Sequence, residues 1–226
     1  MATQLEEIAP NVYTTCADLK VFGLIQLNTR MTVVRLQNGD LWMHSPIAPT
    51  TELFSTISQL GTVKWLVSPN LFHHMFIEPW TKHFSEAHVL GSKGLGKKQP
   101  NLNILNVQEE SQKFHTEIQC IPIKGIPALK ENVFYHRASK TLIITDILFY
   151  NPDVFGFTKG YFWLNRTLQE PNVPLLVKAS IKDKNAFLDS LREIGNLDVA
   201  RISMCHHYIL KDNIKQHLER VIQSFM

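Results

Sequence analysis

At 226 residues, with 44% hydrophobic and 19% charged side chains, the chain has the ordinary globular mixture and enough length for one sizeable core, which excludes a disordered, fibrous or coiled-coil protein. Its net charge of +3 comes from dispersed residues, so no basic tract supplies the footprint that nucleic acid or an anionic membrane requires.

In chain order, VYTTCA near residue 12, MTVVRLQ at 31–37 and LWMHS after the Asn38-Gly39-Asp40 turn read as short strands, the last two as a hairpin. Leu53, Ile57 and Leu60 recur at helical spacing, and Gly61 is placed to end that helix in a left-handed conformation. Residues 63–68, VKWLVS, form an apolar run suited to a strand covered on both faces. A helix through Trp80 to Phe84, a strand at 87–90 and a polar loop over 91–103 follow. IQCIPI at 118–123, NVFYH at 132–136 and TLIIT at 141–145 suggest a second meander. Ser180 and Asp183 open a helix that Gly195 closes, VARISMC at 199–205 is a buried strand, and Leu210 to Phe225 carry the stripe of a last amphipathic helix. Strand-rich halves each followed by helices stack most economically as an α/β fold with two sheets inside, a four-layered αββα sandwich, in one domain spanning 1–226.

Cys16, Cys120 and Cys205 are far apart and never form a Cys-x-x-Cys pair, which fits neither a disulfide framework nor a thiolate zinc site and indicates a reducing compartment. The opening MATQLEEIAP lacks the charge and apolar run of a signal peptide, and no stretch approaches the roughly 18 apolar residues of a membrane span, so a cytoplasmic location with no membrane and no nucleic-acid partner is expected. Gly91-Ser92-Lys93-Gly94-Leu95-Gly96-Lys97 satisfies the start of a phosphate-binding loop. The next residue is Lys98 where a hydroxyl belongs, and Pro100 breaks the helix that would face a phosphate, so a basic surface loop is the better reading.

The histidines carry more information. His73-His74 follows VKWLVS, His206-His207 follows VARISMC, and Asp146 follows TLIIT. Imidazoles and a carboxylate at the ends of three strands can close three positions of a zinc or iron site and leave the rest to water. The same groups can also satisfy one another as a buried hydrogen-bond network without metal. Along an extended strand Ile202, Met204 and His206 share one face while Ser203, Cys205 and His207 share the other, which favours His206 as the cleft residue. Phe72, Phe76, Trp80, Phe149 and Tyr150 form either an apolar pocket wall or ordinary core packing, and His136-Arg137 either an anion contact or a solvated turn.

This order of elements and histidines resembles the metallo-β-lactamase superfamily over most of the chain. The segment matching that family's His-x-His-x-Asp-His motif is Pro69-Asn70-Leu71-Phe72-His73-His74, which keeps only its last histidine and puts His73 where the Asp belongs. The ligand expected after Gly125 falls on apolar Ile126, Asp146 in LIITDILF resembles the bridging Asp, His206 or His207 is similar to the closing histidine, and His44 in LWMHSP takes the place of a structural Asp. SPNLFHHMF, the segment around Glu131 and SKTLIITD look closest to a bacterial branch described only as metallo-β-lactamase-like.

The resemblance implies that one of two metal positions has lost its ligands and the other retains His73, His74, Asp146 and His206, with His44, His207, His136 and Arg137 as surrounding groups. The two readings that follow are a hydrolase of an ester, lactone, thioester or phosphoester holding one divalent zinc, iron or manganese ion, and a non-catalytic binding module that has lost the dinuclear site and holds no metal.

Overall fold

The computed structural model describes residues 4–21, 25–206 and 208–226; His207 lies outside them. The chain first lays down β1 (Glu6–Ala9), β2 (Val12–Val21), β3 (Ile25–Arg35) and β4 (Asp40–His44) as antiparallel neighbours. Helix and strand then alternate through α1 (Thr51–Leu60), β5 (Thr62–Ser68), α2 (Ile77–His83), β6 (His88–Gly91) and β7 (Ile104–Asn106), with β4 to β7 paired in parallel. After the short α3 (Val107–Glu110) come β8 (Ile118–Pro122), β9 (Asn132–His136) and β10 (Thr141–Ile144), then α4 (Gly156–Leu164), α5 (Leu175–Ser180), α6 (Lys184–Gly195), β11 (Arg201–Met204), β12 (Ile209–Leu210) and α7 (Ile214–Gln223). One sheet runs in sequence order from β1 to β7, and the other in the order β12-β11-β10-β9-β8, with β10 and β11 parallel.

Side-chain alternation along the strands builds the layers. Val34, Trp42 and Val67 of the first sheet meet Phe134 and Ile143 of the second in a core between the sheets. Their neighbours Val33, Leu41, Met43 and Leu66 point the other way, onto Leu53 and Ile57 of α1 and Ile77 and Trp80 of α2. On the far side Leu142, Ile144, Ile202 and Met204 pack against Phe187 and Leu191 of α6 and Leu218 and Val221 of α7. This is the four-layered αββα sandwich expected from the sequence. The sheets are stitched where β3 meets β11: Arg30 N–H donates to Cys205 O at 2.6 Å, Arg30 Nε donates to Met204 O, and the Thr32 and Ser203 hydroxyls are 3.0 Å apart.

Some local expectations are corrected. Gly61 has φ 166°, which is extended rather than left-handed; it is glycine because a Cβ there would lie 2.4 Å from Gly39 O. Ser180 closes α5, and Asp183 alone caps α6 by accepting from Ala186 N–H. The 199–205 strand is shorter, ending at Met204, and Leu210 belongs to β12 rather than to the last helix. The glycine-rich run makes a single 3-10 turn at Leu95–Lys97, with no helix behind it to face a phosphate. No helix among the described residues is long and apolar enough to cross a membrane.

Candidate metal centre

Strand ends from both sheets deliver the polar groups to one place. His44 and Ser45 close β4, the turn after β5 carries Asn70 and His73, Asp146 follows β10, and Cys205 and His206 follow β11. Asp146 Oδ1 is 3.3 Å from His73 Nε2 and 3.2 Å from His206 Nε2. On its other nitrogen, His73 Nδ1 lies 2.8 Å from Ser45 Oγ and 3.4 Å from Cys205 Sγ. One donor atom each of His73, Cys205 and His206 lies within 4.8 Å of the others.

A surrounding set of hydrogen bonds fixes this arrangement. The buried Asn70 carbonyl oxygen accepts from Phe72 N–H and His73 N–H, while its amide donates to Asp146 Oδ2 at 2.7 Å and to Glu131 Oε2 at 3.4 Å. Glu131, fully buried, accepts from the backbone N–H groups of Thr145 at 2.9 Å and Asp146 at 2.8 Å. The loop conformation behind Asp146 is therefore held by the Glu131 carboxyl on its backbone and by the Asn70 amide on its carboxylate.

The electrostatics are those of a tight charge cluster. Burial pushes the Asp146 carboxyl up, but the His73 and His206 imidazoles outweigh it and hold the group below the usual carboxylate range. Burial likewise opposes the charged forms of His73 and His206, yet the Cys205 thiol and Asp146 carboxylate raise His73 well above the ordinary imidazole value, and the Asp146 hydrogen bond raises His206. Burial of Cys205 is overcome by His73, so its thiol falls to about 6. Glu131 is pushed up to about 7 by burial and by the Asp146 charge.

His206 bears on whether a metal fits. Its Nδ1 is 3.0 Å from Asn28 O, a pure acceptor, so this nitrogen carries one ring proton; Nε2, facing a carboxylate oxygen, has a lone pair that takes either a second proton or a metal ion. A ligating histidine whose other N–H donates to a backbone carbonyl is the common arrangement at metal sites, so the donor set fits a divalent ion.

The positions predicted from sequence divide clearly. His73, Asp146 and His206 come together as expected. His74 does not join their cluster: its Nδ1 accepts from Gln99 Nε2–H at 2.9 Å beside Lys98, although it lines the same pocket. His136 is also corrected, because it pairs with Thr141 at the end of β10 remote from Asp146, and its Nδ1 bonds the Ser139 hydroxyl. Arg137 is exposed and donates to His115 O, as a surface turn residue would. Cys205, Ser45, Asn70 and Glu131 were not assigned by sequence. Strict alternation set Cys205 apart from His206, but the strand ends at Met204 and both residues occupy the bend beyond it.

His44 is buried beneath the cluster, stacked on Trp42 and edge-on to Phe134, and neither ring nitrogen has a hydrogen-bond partner among the described residues. Burial, reinforced by His73, lowers its imidazole to about 3 from the usual 6.5. Between these values the unfolded chain binds a proton that the native protein does not, so the stability from this group is full above pH 6.5 and falls as the pH drops. His44→Phe should therefore stabilise the protein by about 1–2 kcal/mol at neutral pH, since two unpaired polar atoms are removed. Its advantage should widen by about 1.4 kcal/mol per pH unit below roughly pH 6. Urea unfolding of both proteins at two pH values measures this; an unchanged difference would mean that His44 holds a partner.

A cavity of about 380 Å³ opens above the donors. Of the five aromatics for which the sequence left pocket wall or core packing open, Phe72, Phe76 and Phe149 line it, whereas Trp80 is in the outer core with its N–H on Ile47 O, and Tyr150 packs edge-on against Tyr208.

Two stacked sheets flanked by helices, in this order, make the metallo-β-lactamase fold. Structures of this fold superpose over nearly the whole chain: a metallo-β-lactamase from Pontibacter korlensis (12% identity, 98% of this chain and 99% of that one, TM-score 0.64) and another from Hirschia baltica (7%, 98% of both chains, 0.64). A metal-soaked Flv1 flavodiiron core from Synechocystis sp. PCC6803 aligns at 10% identity with 99% of this chain, 60% of its own and a TM-score of 0.65. The chain belongs to the DUF4336 family, a domain of unknown function, whose model matches residues 17–158. That match includes His73 and Asp146 and stops before Cys205 and His206. No curated protein matches the sequence.

Proposed function

We propose that the chain is a hydrolase using one metal ion held by His73, Asp146 and His206. The observation that supports this most is the convergence of two ring Nε2 atoms on one carboxylate oxygen, while His206 Nδ1 is committed to Asn28 O. Pro69, Leu71 and Ile126 at the other positions of the superfamily motif offer no donors, which favours one ion over two. Two imidazoles and a carboxylate suit zinc, iron or manganese. When bound, such an ion supplies a water acidic enough to lose its proton near neutral pH. The chain's own groups orient the donors: Asn70 and Glu131 hold Asp146, and the Ser45 hydroxyl and Cys205 thiol flank the far nitrogen of His73.

Elemental analysis of protein purified without chelator tests this reading. About one equivalent of metal is expected in the parent, with His74→Ala retaining it and Asp146→Ala and His206→Ala losing it. Substoichiometric metal in the parent after loading with zinc, iron or manganese would transfer the pocket to the non-catalytic binding reading.

A further inference from the structure

We propose that the pocket above the cluster takes a single-headed apolar substrate, a carboxylic ester or thioester with a medium-length acyl chain, its carbonyl end against His73, Asp146 and His206. The chemistry rests on the hydrolase reading, but the binding of the chain does not. Leu27, Leu129, Phe149, Tyr161, Leu176 and Val177 form the walls. Most of the polar groups gather where His73, Asp146 and His206 are joined by Ser45 and Thr29, while His74, held by Gln99, lies apart from them. Apolar walls with a few convergent polar groups are what orient a ligand by one head.

The charge pattern narrows the ligand further. No Lys or Arg is among the described residues lining the pocket. The nearby Lys98 is outside, over the Phe72 ring at 4.7 Å, with its ammonium donating to Leu71 O. Beyond the His73–Asp146–His206 end, a phosphoester or nucleotide would set its remaining anionic oxygens against apolar walls with no guanidinium or ammonium to receive them, at a large desolvation penalty. A sugar would leave most of its hydroxyls unpaired. An alkyl chain carries no such penalty, and each buried methylene contributes favourably.

Size and rim agree. A cavity of about 380 Å³ is at the small end of the range that takes one small organic ligand. Phe72, Met75 and Leu176 are 55%, 60% and 65% exposed, and all three line this same pocket. The apolar surface left in water there is thus surface that an acyl chain would cover.

The test uses the neutral dye Nile red as a fluorescent probe, titrated into protein as purified and after chelator treatment. Saturable binding is expected in both, displaced by methyl nonanoate but not by methyl acetate, phenyl phosphate or adenosine monophosphate. Phe72→Asp and Leu176→Asp change exposed side chains, so the fold is kept; each should weaken binding at least fivefold, with thermal unfolding as the control. On loaded enzyme, kcat/KM for p-nitrophenyl esters should rise about fourfold per added methylene up to the length the cavity holds. Probe binding without metal or turnover would retain the pocket assignment and overturn only the hydrolase reading. No saturable binding, displacement by the phosphates, or indifference to both substitutions would overturn the acyl pocket even in a metal-loaded hydrolase.

Discussion

Glu131→Ala is expected to lower stability by about 3–5 kcal/mol, because it strips the acceptor from two buried backbone N–H groups, at about 1–3 kcal/mol each, and from the Asn70 amide. At about 2–4 °C per kcal/mol for a chain of this size, Tm should drop by roughly 10 °C. The loop carrying Asp146 loses its anchor at the same time, so metal content should fall with stability. Glu131→Gln keeps one acceptor but sets an amide against the other donor, and its loss should be intermediate. The acid itself adds a pH signature. Because its native pKa of about 7 is raised from 4.5, its proton stabilises the folded state fully below pH 4.5 and that contribution is lost as the pH rises through 7. The stability advantage of the parent over the Gln variant should therefore narrow between pH 5 and 8, measured by denaturant unfolding at each pH. A gap that stays flat from pH 5 to 8 would show that Glu131 is ionised throughout.

The second large effect is expected at Gly125. Its φ of +79° lies in the left-handed region, and a Cβ would stand 2.1 Å from Asp183 O and 3.0 Å from Phe187 N, both backbone atoms of the α6 entrance. Gly125 O also accepts from Lys182 N–H and Asp183 N–H. Neither side can move without breaking these bonds, so Gly125→Ala should destabilise by about 3–4 kcal/mol. The same segment leads to Leu129, a pocket wall whose carbonyl accepts from Leu71 N–H, so weaker binding of apolar ligands should accompany the loss. A thermal scan showing less than about 1 kcal/mol would mean that the α6 entrance can shift as a unit.

Much of this architecture was legible because most elements bury one face or both. The apolar run of β5 and the stripe of α6 left unambiguous periods in the sequence. Helix α4 left none: Phe157, Trp163 and Leu164 are exposed while Thr158 is buried, so apolar residues face outward and erase the amphipathic signal. Helix α5 buries no residue fully and was equally silent. At the site, the resemblance and the strand-end positions pointed to Asp146 and His206, whereas the resemblance kept His74 and offered His73 only in place of the motif's Asp. Which of two adjacent histidines enters the cluster was not legible, since His73 and His74 occupy a turn where no strand alternation applies. His136 was misplaced for a related reason: residues on one strand belong to opposite ends of the sheet, and only pairing shows which end carries the site.

The donors arrive in two instalments. Ser45, Asn70 and His73 hang from the first sheet, Asp146, Cys205 and His206 from the second, and the Arg30–Cys205 contact fastens one to the other. The set is complete only when both sheets are in place. A nascent chain emerging only as far as Asp146 would carry His73 and Asp146 but neither Cys205 nor His206. Closure of the cluster therefore reports, in a single place, that the C-terminal strand β11 has taken its seat beside β10 and against β3.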